Sequence, residues 1–391
     1  MFAKLRSPRN PVLKVGAMLS ALWLAACTPG TSGGPAPRLS SGEAVPVALL
    51  VPGGSGATGD ETLAKSLRQA AELAISDLDG VKIDLRVYNT GGSPAQAAEA
   101  ATKAVDAGAK IILGPVFAEA ANAAGLAVAD RGVNLLSFSN NTDIAGGNVF
   151  VLGPTFPNTA NRLVSYAAAQ GKRRILTVSD QTTAGEIGAR AIQTAISRSG
   201  ASNAGQISYP FSQQDVTNVA PQIAAKVQGG GVDALFLTAD TAGALPLLAQ
   251  LLPQQGVDPA QTKFIGLTRW DIPPATLALP GLQGGWFALP DPNLNTRFKA
   301  RYETAFGSAP HPIAGLAYDG IAAIGALVKS GHADALSRNA LTQPAGFVGV
   351  NGIFRLRPDG SNERGLAVAE IRNNQVVVID PAPRSFGGAG F

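Results

Sequence analysis

Short apolar runs rich in Val, Ile and Leu alternate along this chain with longer Ala-rich stretches of helical period. That alternation narrows the possible fold more than any other property. VPVALLVP (45–52), IDLRVYNT (83–90), KIILGP (110–115) and NLLSFS (134–139) have the length and β-branched content of strands. Between them, 58–78 places Leu63, Leu67, Ala70, Ala71 and Ala74 on one helical face, and 93–107 and 119–131 are further helices. Strand, helix and parallel strand in repetition predict an open, mostly parallel sheet with helices on both faces.

The rhythm then begins again. NVFVLGP (148–154) is expected to be a crossing segment, followed by a helix over 158–170. RRILTVSD (173–180), QISYPF (206–211), DALFLT (233–238) and KFIGLT (263–268) supply strands of a second sheet, with helices over 215–228 and 242–254 among its covering layers. GGWFALP (284–290) is expected to return the chain to the first lobe, where 294–306 and 313–329 are helical. Residues 352–380 read as β-structure, with turns at Pro358–Gly360 and Asn373–Asn374. The fold class is therefore α/β with two lobes: 44–154 plus 291–338 in the first, 155–290 plus 339–380 in the second. Such an arrangement leaves a cleft between the carboxyl ends of the two sheets. The Pro/Gly/Ser-rich segment 27–43 has the composition of a flexible tether, and 381–391 that of a loose tail.

The amino-terminal end carries an address. Lys4, Arg6, Arg9 and Lys14 precede a short apolar run over 15–26, the layout of a secretory signal and too short to span a bilayer as a helix. Leu24, Ala25 and Ala26 ahead of Cys27 resemble the bacterial lipobox. That resemblance implies removal of residues 1–26 and diacylation of Cys27, the only cysteine of the chain. Thr28, where an Asp would signal inner-membrane retention under the enteric rule, implies a periplasm-facing protein lipid-anchored to the outer membrane. The leader holds four of the 31 basic residues and none of the 27 acidic ones, so the charges balance without it. A balanced chain carries no footprint for nucleic acid, which is not expected as a partner.

The order of the elements resembles the type I periplasmic-binding fold, in the leucine-binding-protein branch. The likeness runs through KIILGP (110–115), GVNLLSFS (132–139), 149–154, RILTVSD (174–180) with Gly185, VDALFL (232–237) and LAYDG (316–320). GPVFAE (114–119) together with SFSNN (137–141) is most similar to the penicillin-binding protein activators of Gram-negative bacteria. Those are envelope lipoproteins that assist a peptidoglycan synthase.

Strand ends supply the candidate binding residues. GSGATG (54–59) matches a dinucleotide fingerprint, but the following strand ends in Tyr88, Asn89 and Thr90, with no acid to hold a ribose. The segment reads better as a strand-to-helix loop whose amides face the cleft, with Ser55 a contact candidate. In amino-acid-binding relatives the loop after the third strand offers hydroxyls to a carboxylate; here Val116, Phe117 and Ala118 offer none, and Phe117 is left to stack or to pack in the core. Ser137, Ser139 and Asn140 either project into the cleft or build turns. Asp180 and Thr182 either meet a ligand ammonium or cap a helix. Asp240, Arg269 and Trp270 complete the set, the last two as contacts for an anionic or planar group.

His311 and His332 are the only histidines, and neither neighbours a nucleophile or shows a metal-ligand spacing. The expectation is a non-enzyme without metal or cofactor. Two functions are carried forward. The first is an activator regulating peptidoglycan synthesis through contact with a synthase. The alternative is the solute-binding protein of an ABC importer for branched-chain amino acids or related small solutes, with a permease as partner and a ligand in the cleft.

Overall fold

The computed structural model describes residues 37–40 and 42–387; the leader, Cys27 and most of the expected tether lie outside them. β1 (Val45–Val51) is the hub of the first sheet, with six of its seven residues buried, as a strand covered on both faces must be. It pairs in parallel with β2 (Ile83–Asn89) and β3 (Ile111–Leu113), so that Val47 faces Leu85 on one side and Ile111 on the other. β4 (Asn134–Ser137) and β5 (Val149–Val151) complete the order β2-β1-β3-β4-β5.

Helix α1 (Thr58–Ser76) buries the expected face of Leu63, Leu67, Ala70, Ala71 and Ala74 against one side of this sheet. On the other side lie α2 (Pro94–Asp106) and α3 (Ala118–Ala127). Their buried residues are almost all alanine, which brings the helix axes close to the strands. The helix expected over 119–131 stops at Ala127. A 3-10 turn over Ala129–Arg131 follows, and Gly132 closes it in the left-handed region at φ 67°.

The second sheet has the order β15-β14-β10-β9-β8-β6-β7. β6 (Arg174–Asp180), β7 (Ser202–Tyr209), β8 (Ala234–Leu237), β9 (Lys263–Gly266) and β10 (Trp286–Leu289) run parallel; β14 (Ala367–Arg372) is antiparallel to β10, and β15 (Gln375–Asp380) is antiparallel to β14. Helices α4 (Phe156–Ala169), α5 (Thr183–Arg198), α6 (Gln213–Gln228) and α7 (Leu245–Gln254) cover it. Two expectations shift here. β7 begins at Ser202, four residues before QISYPF, because it is an edge strand whose first residues stay exposed and polar. GGWFALP does not itself return to the first lobe: Trp286–Leu289 is a strand of the second sheet, and the chain crosses only at Pro290.

After that crossing α8 (Pro292–Phe306), α9 (Gly315–Lys329) and the short α10 (Arg338–Leu341) pack on the first lobe. A third, antiparallel sheet follows, β11 (Phe347–Gly349), β12 (Gly352–Leu356) and β13 (Asn362–Arg364). Assigning all of 339–380 to the second lobe is corrected by this packing. Leu341, Phe347, Phe354 and Leu356 join the core of the first lobe, and the chain reaches the second only with Leu366 and Val368. The described residues of both flanks also make contacts that their composition did not imply. Within the expected tether, the Leu39 amide donates to the Ala333 carbonyl at 2.8 Å and its side chain packs on the first lobe. Within the expected loose tail, Ala382 is buried in the second lobe and the Phe386 ring lies 4.6 Å from the Arg355 guanidinium carbon.

The chain thus passes between lobes three times, and the passages are bound to one another. Asn362 donates to the carbonyls of Val151 and Gly153, each at 2.8 Å, and Arg364 Nε donates to Leu152 at 2.9 Å. Arg364 also meets Asp319 of α9 at 3.0 Å in an ion pair whose two side chains are 3% and 0% exposed. The other Asp319 oxygen accepts from the Val350 amide at 2.8 Å. The Asp291 amide of the second passage donates to Asn351 at 3.3 Å.

An interlobe cavity at the hinge

A cavity of about 270 Å³ lies where the three passages meet. The first lobe contributes Asn140 from the end of β4 and Pro312, Ile313 and Leu316 from the start of α9. The second contributes Leu267, Thr268, Arg269 and Ile272, which follow β9, and Phe156 and Thr159 from α4. Pro154, Pro290 and Leu366 come from the passages themselves. The lining is mainly apolar with a few polar atoms, the composition of small-molecule sites in general. Thr268 stands out among those atoms: its hydroxyl oxygen is buried and has no hydrogen-bond partner. An unsatisfied buried hydroxyl costs free energy unless something occupies the space it faces.

Arg269 is bound within its own turn, Nε to Asp271 Oδ1 at 2.8 Å with a second close contact between the same groups. Arg269 thus lines the cavity with its charge balanced locally. Of the ten expected contacts, Asn140 and Arg269 line this cavity. Thr268, one residue before Arg269, was not among them, although the strand-end rule that selected Ser139 applies equally to it.

The other eight lie elsewhere. Ser137 is fully buried, donating to the Pro115 carbonyl at 3.1 Å and accepting from the Ser139 amide, while Ser139 accepts from the Asn141 amide. Both hydroxyls build the turn after β4. Thr182 caps α5, accepting from the Gly185 amide at 3.0 Å, and Asp180 accepts from the Thr182 amide and hydroxyl, so the capping alternative holds for this pair. Asp240 accepts from the Gly243 amide at 2.6 Å in an exposed turn. Ser55 is exposed and accepts from the Ala57 amide, and Phe117 precedes α3 with 38% of its surface exposed rather than packing in the core.

Trp270 is corrected outright as a cleft contact. It is completely buried, with its ring in a slot made by two glycines: a Cβ at Gly266 would stand 2.2 Å from the ring, and one at Gly285 2.5 Å. Phe287 packs beside it at 6.3 Å between ring centroids. Gly114 shows similar crowding after β3, where a Cβ would fall 2.2 Å from the Leu50 carbonyl oxygen.

His311 accepts from the Ile313 amide through Nδ1 at 3.4 Å, and burial holds its imidazole below the usual pKa. Among the described residues no group of three or more His, Cys, Asp or Glu is placed to hold a metal ion, and no helix is long and apolar enough to cross a membrane.

Two parallel-sheet lobes, three linked passages and a cavity between them define a two-lobed binding fold. A family model for periplasmic binding proteins matches residues 44–375, and the chain belongs to that family. Solved structures repeat the fold. One is a branched chain amino acid ABC transporter periplasmic ligand-binding protein from Burkholderia xenovorans, 18% identical with TM-score 0.70, covering 88% of this chain and 97% of its own. Another is an ABC transporter substrate-binding protein from Desulfitobacterium hafniense in complex with Leu, 18% identical with TM-score 0.64, covering 86% and 100%. A third, a solute binding protein of an ABC transporter from R. palustris in complex with benzoate, is 18% identical with TM-score 0.59 and covers 89% and 99%. No curated protein matches the chain.

Proposed function

We infer that this protein is the solute-binding component of an ABC importer, taking a small, largely apolar solute with one polar end into the hinge cavity. The observation that carries this reading is the cavity itself, with mainly apolar walls from both lobes and a few polar residues, Asn140, Thr268 and Arg269 among them. Its volume of about 270 Å³ is just below the roughly 300–1,000 Å³ of drug-sized pockets, which suits a solute of amino-acid size. Solved structures of the same fold that hold leucine and benzoate, both apolar bodies with a carboxylate, support the solute class. The activator reading drawn from the segments at 114–119 and 137–141 has no such support among the solved structures, and the Ser137 and Ser139 hydroxyls are spent on the turn after β4.

A thermal-shift and calorimetric screen of branched-chain amino acids and aromatic acids tests this. A ligand that binds only the folded chain raises the melting temperature, by about 2.7 kcal/mol of stability at a hundredfold excess over Kd. Thr268→Val is expected to weaken that binding by about 1–3 kcal/mol, the range for a buried hydrogen-bond partner removed. Silence across the screen would reject the reading. We further propose that Cys27 carries the lipid anchor implied by the lipobox resemblance. Cys27→Ser should then move the protein from the membrane to the soluble fraction, and its retention in the pellet would refute the anchor.

A further inference from the structure

A second cavity opens on the flank of the hinge, with twice the volume of the first at about 540 Å³. Its walls are α4, the last turn of α5 and the β12–β13 hairpin, with Thr142 of the first lobe at its edge. Thr155 and Arg364 line both cavities and so form the partition between them.

Its chemistry is the reverse of the hinge cavity's. Five arginines line it, against the carboxylates of Asp359 and Glu363. Two of the five are committed to the fold. Arg364 is held by Asp319 and Leu152, and Arg162 donates to the Leu366 carbonyl and to Asp380, each at 2.7 Å. The other three outnumber the two carboxylates by one. Arg355 and Arg357 converge on the single carboxylate of Glu363, the Asp359 carboxylate feels the charge of Arg357, and the Arg357 side chain is 49% exposed. Arg198 has no hydrogen-bond or ion-pair partner among the described residues, and neither do Asn161 and Ser165 of α4, which line the same space. Asp359 accepts from the Ser361 amide and hydroxyl, which occupy one of its oxygens. The deepest part of the wall is polar too: buried Asn158 donates to buried Asn362 at 2.5 Å.

We propose that this flank cavity is an anion-binding site separate from the solute cavity. It takes a small polyanion, a phosphate or a di- or tricarboxylate, whose oxygens meet Arg198 from α5 on one side and Arg357 from the hairpin on the other. An apolar ligand gains nothing against walls of guanidinium, amide and hydroxyl groups, whereas charge-assisted hydrogen bonds to guanidinium are the strong ones. The proposal does not depend on the importer reading, since it uses none of the residues peculiar to the hinge cavity.

Isothermal titration calorimetry of the full chain with citrate and with inorganic phosphate tests it, at ionic strength held constant with chloride and with acetate as the monovalent control. The expected result is saturable binding of citrate or phosphate that acetate does not reproduce. The stronger of the two assigns the carboxylate or the phosphoryl source. Arg198→Ala combined with Arg357→Ala should weaken that binding at least tenfold. Arg198→Gln removes no contact of the fold and should weaken it several-fold alone, which keeps the test decisive even where the double variant folds poorly. Absence of saturable heat for both polyanions, or unchanged affinity in Arg198→Gln and the double variant, would overturn the proposal.

Discussion

Arg364 joins the end of the third passage to the first passage and to α9, and does so out of contact with water. A charge in that position is held only by its partners, and removing one of a buried pair leaves the other desolvated and uncompensated. Arg364→Ala is therefore expected to destabilise the protein by about 3–5 kcal/mol, read as a lower urea midpoint at unchanged slope. A loss below about 1 kcal/mol would mean that Asp319 finds other partners. At the same scale, sequence reasoning located strand ends well and side-chain fates poorly. Asn140 and Arg269 stand at the cavity because a strand end is a position in the chain. Trp270 is hidden because Gly266 at the end of β9, four residues before it, and Gly285, fifteen residues after it, together make room for its ring. No local pattern announces such a slot. Ser137 and Thr182 show the converse case, in which the same polar residue serves equally as a ligand contact or as a turn and cap, and only the tertiary partner decides.

Elements follow from the sequence where they are long and periodic. The buried face of α1 and the parallel strands β1, β3, β4, β6, β8 and β9 rest on apolar runs that nothing else in the chain competes with. Of the third sheet, sequence reasoning read β12 and β13 as β-structure, missed β11, and attached the whole segment to the wrong lobe. β11 and β13 are three residues each, too short to show a period, and β12 is only five. Their attachment to the first lobe depends on Phe347 and Phe354 joining the apolar cluster that α1 and α9 also build. Caps are a more local device. Thr182 satisfies an otherwise unpaired amide at the start of α5, and Thr182→Ala is expected to cost about 1 kcal/mol. The loss should appear as a lower melting temperature with unchanged far-ultraviolet circular dichroism at 20 °C, conditions at which the helix remains intact. An unaltered melting temperature would show that Asp180 alone caps the helix.

For the molecule as a whole, ionisation ties stability to pH. Arg301 beside Asp77 and Arg174 beside Asp233 hold those carboxyls below their ordinary value, and burial holds the His311 imidazole below its own. In each case the unfolded chain has the higher pKa and binds more protons, so stability is complete above the unfolded value and is lost as pH falls through the folded one. His311 begins this loss below about pH 6.5, and the two carboxyls add to it below about pH 4. Scanning calorimetry should therefore show a shallow fall in melting temperature from pH 7 to 5 and a steeper one beneath, with His311→Gln flattening the upper part. A melting temperature that rises on acidification would contradict the assignment.

The three bound passages have a topological consequence. A protein whose halves share one linker falls into two when that linker is cut. Here a single break of the chain at Pro154 leaves the lobes joined through Pro290 and through the segment at Arg364. The severed ends also stay fastened by Asn362 and Arg364, which grip the carbonyls of Val151, Leu152 and Gly153. Such a nicked molecule would migrate as two fragments after denaturation, yet elute as one particle before it.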